Sequence, residues 1–495
     1  MNLPLALVLL PAGAALAAFL TRADRPRRVL LVATAATHAA LVIAGWARGA
    51  TGDDAEAWLG LGPAELPFLA ATSLLFLAAS VYGAGYLARE AAAEHVDHEE
   101  GFLFQNTREA AFTGGLLLFL ATMSLVAVSR HFGLLWVAVE ATTLVSAPLI
   151  YFHRHHRSLE ATWKYLLVCS VGIAFALLGN FFLAGALPRG ASHVPMTQAV
   201  LAENAARMNP AWLKAAFVLL LVGYGTKMGL APMHTWLPDA HSEAPSMVSA
   251  LLSGALLNGA LLAILRAHAV CVAAGLGDFS GGLLVFLGLV SMGVAAAFLI
   301  HQTDYKRMLA YSSVEHMGVM ALGWGVGGAA AFGAGLHMMG HAFTKGMLFL
   351  AAGNLLAIWR SKQTSEVRGA LRAAPASGAL WLTGFLAISG LPPFGLFLSE
   401  LRILQGLVAH ARWTETALFL AFLAVVFVAM ARVFLRMVFG EPSAKGETPL
   451  RLREPISAVL PPLALGLGAL VLGVWIPSWI HSALQGMGLM LGGGR

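Results

Sequence analysis

The sequence predicts an all-α polytopic membrane protein of about fourteen transmembrane helices, with two inverted repeats of five helices that each contain a broken helix. Three observations predict it. The 495 residues are 58% hydrophobic and 11% charged, against about 45–50% and about 25% in soluble domains. The apolar residues fall in runs of about 20, the length that crosses about 30 Å of hydrocarbon. Two of those runs carry Gly and Pro near their middle, beside a charge. The same composition excludes a disordered chain. Cys169 and Cys271, its two cysteines, lie in apolar stretches, which excludes a disulfide scaffold or a cysteine-based metal cluster. The formal charge of +6 is scattered over short loops. No basic stripe exists, so no nucleic acid is expected as a partner.

The spans run, in order, near residues 3–20, 29–47, 67–88, 111–129, 132–151, 161–186, 211–230, 245–267, 280–300, 306–326, 329–358, 379–408, 414–438 and 456–478. The first resembles a signal-peptide core, but it lacks a basic start and is read as an uncleaved helix. The chain divides into a three-helix segment over 1–105, repeats over 106–275 and 276–440 (segments 4–8 and 9–13), and a final loop and helix over 441–495. The longest connections, near 48–66, 89–110, 187–210 and 439–455, are too short for a soluble domain.

Orientation follows from Lys and Arg placement. Arg22, Arg25, Arg27 and Arg28 follow segment 1, and Arg154 and Arg157 follow segment 5. Lys306 and Arg307 precede segment 10. Arg360, Lys362, Arg368 and Arg372 follow segment 11, and Lys445, Arg451 and Arg453 follow segment 13. About 20 of the 31 basic residues fall on this side, which is therefore expected to be cytoplasmic, with both termini periplasmic. The acidic loop with Asp53, Asp54, Glu56 and Glu65 falls on the outer side.

Nucleotide chemistry has no seat here. "GHAFTKG" around Lys345 is a near miss to a Walker A pattern inside an apolar helix, and "GYGTKMG" has no βαβ context. No cofactor is expected.

The informative residues are ionisable groups inside spans, each costing about 2.5–3.5 kcal/mol at a helix centre. Glu140, Lys227, Lys345, Glu400 and Arg402 stand out, joined by His316, His337 and His341. His337, His341 and Lys345 recur at every fourth position, which places them on one helix face. Histidine can accept and donate at once, which suits a proton relay; interhelical glue is the alternative use. Two histidines four apart can also bind zinc, but no HExxH helix and no third ligand is evident, so no metal is expected.

Segment 7 reads "LLLVGYGTKMGLAPMHTWLPDAHSEAP" and segment 12 reads "LAISGLPPFGLFLSELRIL". Gly and Pro should break both helices in mid-membrane. Lys227 sits just before the first break and Glu400 just after the second. Interrupted helices at corresponding places in two halves point to an inverted-repeat transporter with midplane sites. His234, Asp239, His241 and Glu243 follow the first break, as either a proton entry funnel or a solvated loop. The "HRHHR" run from His153 to Arg157 reads as a positive-inside anchor.

The runs "KMGLAPMHTWLPDAHSEAPSMVSALLSG" and "DYKRMLAYSSVEHMG" carry a resemblance. The chain resembles, over roughly residues 105–440, the proton-conducting antiporter-like subunits of respiratory complex I, Mrp antiporters and membrane-bound hydrogenases. "WVAVEATTLVSAPL" and "SLEATWKYLLVCSVGIAFALLG" look most like the F subunit of hydrogenase-4-type complexes. The chain ends soon after its fourteenth helix, without the long lateral helix of the distal complex I subunits it resembles.

The resemblance implies a proton pathway through Glu140, Lys227, His234, His241, His316, His337, His341, Lys345 and Glu400. Many relatives have Lys or His where this chain has Asn258 in the eighth helix, which puts a continuous relay in question. It further implies other membrane subunits as partners, a peripheral nickel-iron and iron-sulfur module, a heel-type helical subunit, and a place in the bacterial inner membrane. A Mrp-like Na⁺/H⁺ antiporter subunit is the alternative.

Mechanistically, a proton is expected to enter toward Lys227, pass the histidines and Lys345, and leave near Glu400, with Glu140 as the switch. Two unit charges 4 Å apart interact by about 4 kcal/mol at a dielectric of 20. Moving one charge against 100 mV requires about 2.3 kcal/mol, so such a switch is of adequate size.

Overall fold

A computed structural model of the chain describes residues 2–491, save 49–55, 91–94, 97–100, 102, 189–193 and 442–453. Asp53 and Asp54 of the acidic loop, and Lys445, Arg451 and Arg453 of the last basic loop, lie outside the described residues. The N-terminal group is α1 (Leu3–Leu20), α2 (Asp24–Ala47) and α3 (Leu66–Arg89). A two-residue antiparallel pair follows, β1 (His95–Val96) with β2 (Leu103–Phe104). Residues 106–275 hold α4 (Glu109–Val128), α5 (Phe132–Ile150), α6 (His156–Gly185), the short α7 (Gln198–Asn204) and α8 (Pro210–Met228). They continue through α9 (Leu237–Glu243), α10 (Ser246–Leu251) and α11 (Leu257–Ala273), the last two joined by a π turn over Leu252–Leu256. Residues 276–440 hold α12 (Gly277–Leu299), α13 (Tyr305–Val326), α14 (Gly328–Trp359), the short α15 (Ala370–Ala373), α16 (Pro375–Ile388), α17 (Gly395–Ala409) and α18 (Trp413–Phe439). α19 (Ile456–Val474) and α20 (Ser478–Met490) complete the chain as described.

Counting α10–α11 as one, 12 helices among the described residues are long and apolar enough to cross a membrane. The two remaining predicted spans are α13, rich in polar side chains, and α16–α17, which the second break divides. α6 shows how an outer helix meets lipid. Leu159, Trp163, Leu167, Val171 and Phe175 are all exposed, and a spacing of four makes them one apolar stripe. α14 is the opposite case. Every residue from Gly333 to Ala352 is buried, because α3, α10, α13, α16, α17 and α19 surround it.

The breaks form where the sequence places Gly and Pro. α8 ends at Gly229, whose φ of +81° suits a residue without a Cβ. A Cβ there would also stand 2.5 Å from Leu237 Cδ1. α16 ends just before Gly390, at φ +62°. Each break contains a cis proline, after Ala231 and after Pro392. Backbone groups freed by the first break find new partners, as buried polar groups in a bilayer must. Trp236 Nε1 donates to the Thr226 carbonyl at 2.9 Å, and the Ala231 amide donates to Ser291 Oγ at 2.9 Å.

Four details differ from the sequence reading. α2 begins at Asp24, so Arg25, Arg27 and Arg28 lie in its first turns and not in a loop. Arg28 pairs with Glu109 at 2.6 Å and ties α2 to α4. His155, within the supposed basic anchor, is the N-cap of α6; its Nδ1 accepts from the Ser158 amide at 3.2 Å, satisfying an orphan donor. Glu65, grouped with the acidic loop of the outer side, is 2% exposed and pairs with the buried Arg266 at 3.3 Å. α20 was not among the predicted segments. It is amphipathic, with Ile480, Ala483, Leu484 and Met487 buried against the bundle.

Candidate functional site

Two clusters of polar groups lie within the bundle, one in each half; Lys227, Lys345 and the histidines are buried, Glu140 and Glu400 are half-buried, and Ser170 is exposed. The first is built by α5, α6 and the last turn of α8. Lys227 Nζ donates to Thr143 Oγ1 at 2.6 Å and to Tyr165 Oη at 2.7 Å, and lies 4.8 Å from the centre of the Tyr165 ring. Thr143 in turn donates to Glu140 Oε2 at 3.2 Å, and Ser170 Oγ donates to Glu140 Oε1 at 3.2 Å. Thr143 follows Glu140 by three residues, so one face of α5 presents both. Glu140 and Lys227 therefore meet through a hydroxyl, where direct pairing at about 4 Å was expected. Hydrogen bonds of 2.6 and 3.2 Å cap their separation near 6 Å. About 3 kcal/mol of attraction survives at that distance and a dielectric of 20.

The second cluster surrounds α14. Lys345 Nζ donates to the Leu309 carbonyl at 2.7 Å and to Ser312 Oγ. His341 lies one turn away with neither ring nitrogen hydrogen-bonded, its ring centre 5.3 Å from that of His316. His316 Nδ1 and His337 Nε2 share a hydrogen bond of 2.9 Å, and His337 Nδ1 meets Ser399 Oγ at 2.9 Å. Glu315 brings Oε2 within 3.2 Å of His316 Nε2, a charge contact without hydrogen-bond alignment. Glu400 comes from α17, just beyond the second break. One of its carboxylate oxygens and a ring nitrogen of each of His316 and His337 all lie within 4.8 Å of one another. A Cβ at Gly390 would overlap that carboxylate, so the break itself makes room for Glu400.

Between Lys227 and Lys345 the polar groups are mostly neutral. Ser253 and Ser313 share a hydroxyl hydrogen bond of 2.8 Å between the π turn and α13. Asn258 Nδ2 donates to the Gly254 carbonyl at 2.8 Å, leaving its Oδ1 buried and unpaired. His241 is fully buried, stacks on Phe349 at 4.9 Å and lies within electrostatic reach of Lys345.

The basic loop face opens above these clusters. A cavity of about 660 Å³ is lined by His155, Arg157, Glu243, Lys306 and Arg360, among others. A neighbouring one of about 340 Å³ is lined by Lys164, Asp239, Asp304 and Arg307. Asp239 accepts from Lys164 at 2.9 Å and from Arg307, and Lys362 donates to Glu243 at 2.8 Å. Burial alone would push the Glu243 carboxyl up; Lys362, with Lys306 and His155 nearby, brings it down to about 2. So the four residues after the first break separate. Asp239 and Glu243 form ion pairs at the mouth, while His234 and His241 are buried beneath it.

Of the predicted residues, His316, His337 and Glu400 converge, with His341 beside His316, and Glu140 and Lys227 share the other cluster. Arg402 does not belong: it is exposed and donates to Gln405 at 3.2 Å. Sequence reasoning missed Glu315, Thr143, Tyr165 and Ser399. Glu315 had the same signal as the others, a carboxylate in an apolar span, and stands next to His316. The expectation that no third metal ligand exists rested on spacing along one helix, whereas Glu400 arrives from another.

The model of the family described as NADH:quinone oxidoreductase/Mrp antiporter, TM, matches residues 129–427. The chain is 36% identical to a hydrogenase-4 component F homolog of Methylacidiphilum infernorum over 434 residues, 86% of this chain and 87% of that one. It is 31% identical to NADH-quinone oxidoreductase subunit N of Desulforudis audaxviator, over 71% of each. Among solved structures, a chain of an archaeal membrane-bound sulfane sulfur reductase superposes with a TM-score of 0.85 at 21% identity, covering 99% of this chain and 97% of that one. That last likeness concerns the fold.

Proposed function

We infer the function from kinship and geometry together: the chain belongs to the NADH:quinone oxidoreductase/Mrp antiporter transmembrane family, and its two polar clusters have the chemistry of a proton path. The chain is a proton-translocating membrane subunit of a hydrogenase-type respiratory complex related to complex I. The finer assignment is our proposal. The complex carries a peripheral nickel-iron and iron-sulfur module, a reading supported by the likeness to a hydrogenase-4 component F homolog. The basic loop face is cytoplasmic, both termini are periplasmic, and the membrane is the bacterial inner membrane. The two five-helix repeats over 106–275 and 276–440 each carry one half of the path.

The observation that carries this reading is the run Lys345–His341–His316–His337–Glu400, in which imidazoles stand between a lysine and a carboxylate. Each imidazole can take a proton on one nitrogen and release it from the other. On the opposite side, Glu140 holds Lys227 through Thr143, so a change in their spacing alters the charge balance of Lys227. Protons enter from the mouth above His234 and His241 and leave near Glu400. The axis is rich in nitrogen donors, which suit protons better than a hard cation that seeks oxygen. A Mrp-like exchange of Na⁺ for H⁺ is the alternative within the same family, and sodium-dependent transport would mark it. The test is Glu140→Gln in the assembled complex. Redox-driven proton uptake is expected to fall about tenfold or more, given about 3 kcal/mol of lost attraction; undiminished uptake would remove the switch.

A further inference from the structure

His316, His337 and Glu400 have a property the relay does not require. His337 Nδ1 is hydrogen-bonded to Ser399 Oγ at 2.9 Å, and His316 Nε2 has the Glu315 carboxylate 3.2 Å away as a charge contact. The nitrogens that remain, His316 Nδ1 and His337 Nε2, face each other at 2.9 Å. Glu400 brings a carboxylate oxygen within 4.8 Å of a ring nitrogen of each histidine, and its Oε1 is buried without a hydrogen-bond partner. Imidazoles held by a carboxylate or hydroxyl on the far nitrogen are the arrangement that fixes histidine ligands on a metal.

We propose that His316, His337 and Glu400 bind a zinc-class divalent transition metal, and that the bound ion shuts the proton path at this point. Ligand bonds of about 2.0–2.2 Å on a tetrahedral centre put ligand atoms ~3.3 Å apart. The two rings need to part by a few tenths of an ångström, and the Glu400 carboxylate needs to swing inward. The fourth position is left for water. Charge favours the site once the metal takes the place of the carboxyl protons, because Glu400 and Glu315 together can then neutralise a divalent cation held out of bulk solvent. The donor set of two nitrogens and one oxygen selects zinc-like ions over Mg²⁺ and Ca²⁺, which take oxygen. A metal on both facing nitrogens displaces the proton that His316 and His337 otherwise share. The blocking half of the proposal rests on the relay reading above; the binding half does not.

The experiment uses the whole complex, purified in mild detergent and stripped with a chelator, with Zn²⁺ as the probe and Mg²⁺ as the control. Bound zinc is counted per chain in wild type, Glu400→Gln and His316→Gln, and co-purification of the partner subunits confirms assembly. Wild type is expected to bind one more Zn²⁺ than either variant, with two imidazole nitrogens in the X-ray absorption spectrum of that extra ion. Ser399→Ala is expected to weaken this ion's affinity about tenfold without abolishing it. Equal zinc counts in wild type and both variants would overturn the site. Zinc that binds as expected yet leaves redox-driven proton translocation unchanged at saturation would keep the site and overturn the relay.

Discussion

The two polar clusters occupy matching halves of the bundle, and they are built differently. Around the first break, Lys227 is held by two hydroxyls, with the Glu140 carboxylate one hydroxyl further on. Around the second, three histidines, Glu315 and Glu400 crowd together with almost no neutral spacer. The first geometry has one cation, one anion and an adjustable link, which is what a switch needs. The second has groups that exchange protons in place, which is what a conductor needs. The two breaks resemble each other in backbone, with a glycine at positive φ followed by proline. The two breaks therefore share a backbone form beside which charges sit, while the side chains decide what each half does.

The largest expected effect comes from interrupting the conductor. His337→Gln keeps a hydrogen-bonding side chain but removes the group that can carry a proton. Loss of such an acid–base group typically costs about 10²-fold or more, so proton translocation by the assembled complex should fall by that order; near-normal translocation would break the contrast between the halves. Next is the link in the switch. Thr143→Val removes a hydroxyl bonded to charged groups on both sides, an interaction of about 1.5–3 kcal/mol. Coupled translocation should drop about tenfold, and Thr143→Ser should restore it. A neutral Thr143→Val would mean that Glu140 and Lys227 act independently.

A smaller effect tests the passage between the halves. Ser253→Ala breaks the hydroxyl contact with Ser313, and a neutral hydrogen bond is worth about 0.5–1.5 kcal/mol. Translocation should fall a few-fold. No change would indicate that His241 joins the halves instead, and His241→Gln would then show the larger loss.

The smallest effect on transport belongs to the mouth. Glu243→Gln removes an ion pair with Lys362 and should leave translocation at neutral pH within about twofold. Its signature is in stability. The Glu243 carboxyl titrates near 2 in the folded chain, below its ordinary 4.5. The depressed value means that Glu243 stabilises the fold fully above the ordinary carboxyl range and loses that contribution as pH falls toward 2. The contribution is on the order of 3 kcal/mol. The hydrogen-exchange protection of residues 237–245, taken relative to the intrinsic exchange rate at each pH, should therefore fall from pH ~4.5 downward in wild type and change less in Glu243→Gln.

Much of this was legible in the sequence for definable reasons. Each predicted span corresponds to a helix or, for 379–408, to the two helices either side of the second break, and both breaks lie where Gly and Pro stand, because apolar length and backbone chemistry are local properties. Faces within one helix were legible too: His337, His341 and Lys345 are buried together. Contacts between helices were not. Nothing in the spacing says that Glu400 meets His316 and His337, or that Thr143 stands between Glu140 and Lys227. Arg402 was misplaced because charge was counted without direction. Two residues beyond Glu400, it points to the opposite side of α17. Glu65 was placed with the outer acidic loop, and its pairing with Arg266 was not legible because that partner lies far along the chain.

The account is tested most directly by the ratio of protons translocated to electrons transferred. It would be measured in proteoliposomes holding the complex with Lys227→Met, with assembly confirmed by co-purification. The account predicts that electron transfer continues while the ratio falls, because this chain's share of the translocated protons is lost. A ratio equal to that of wild type would contradict it, and Lys227 would then be a structural charge in a chain that moves no protons.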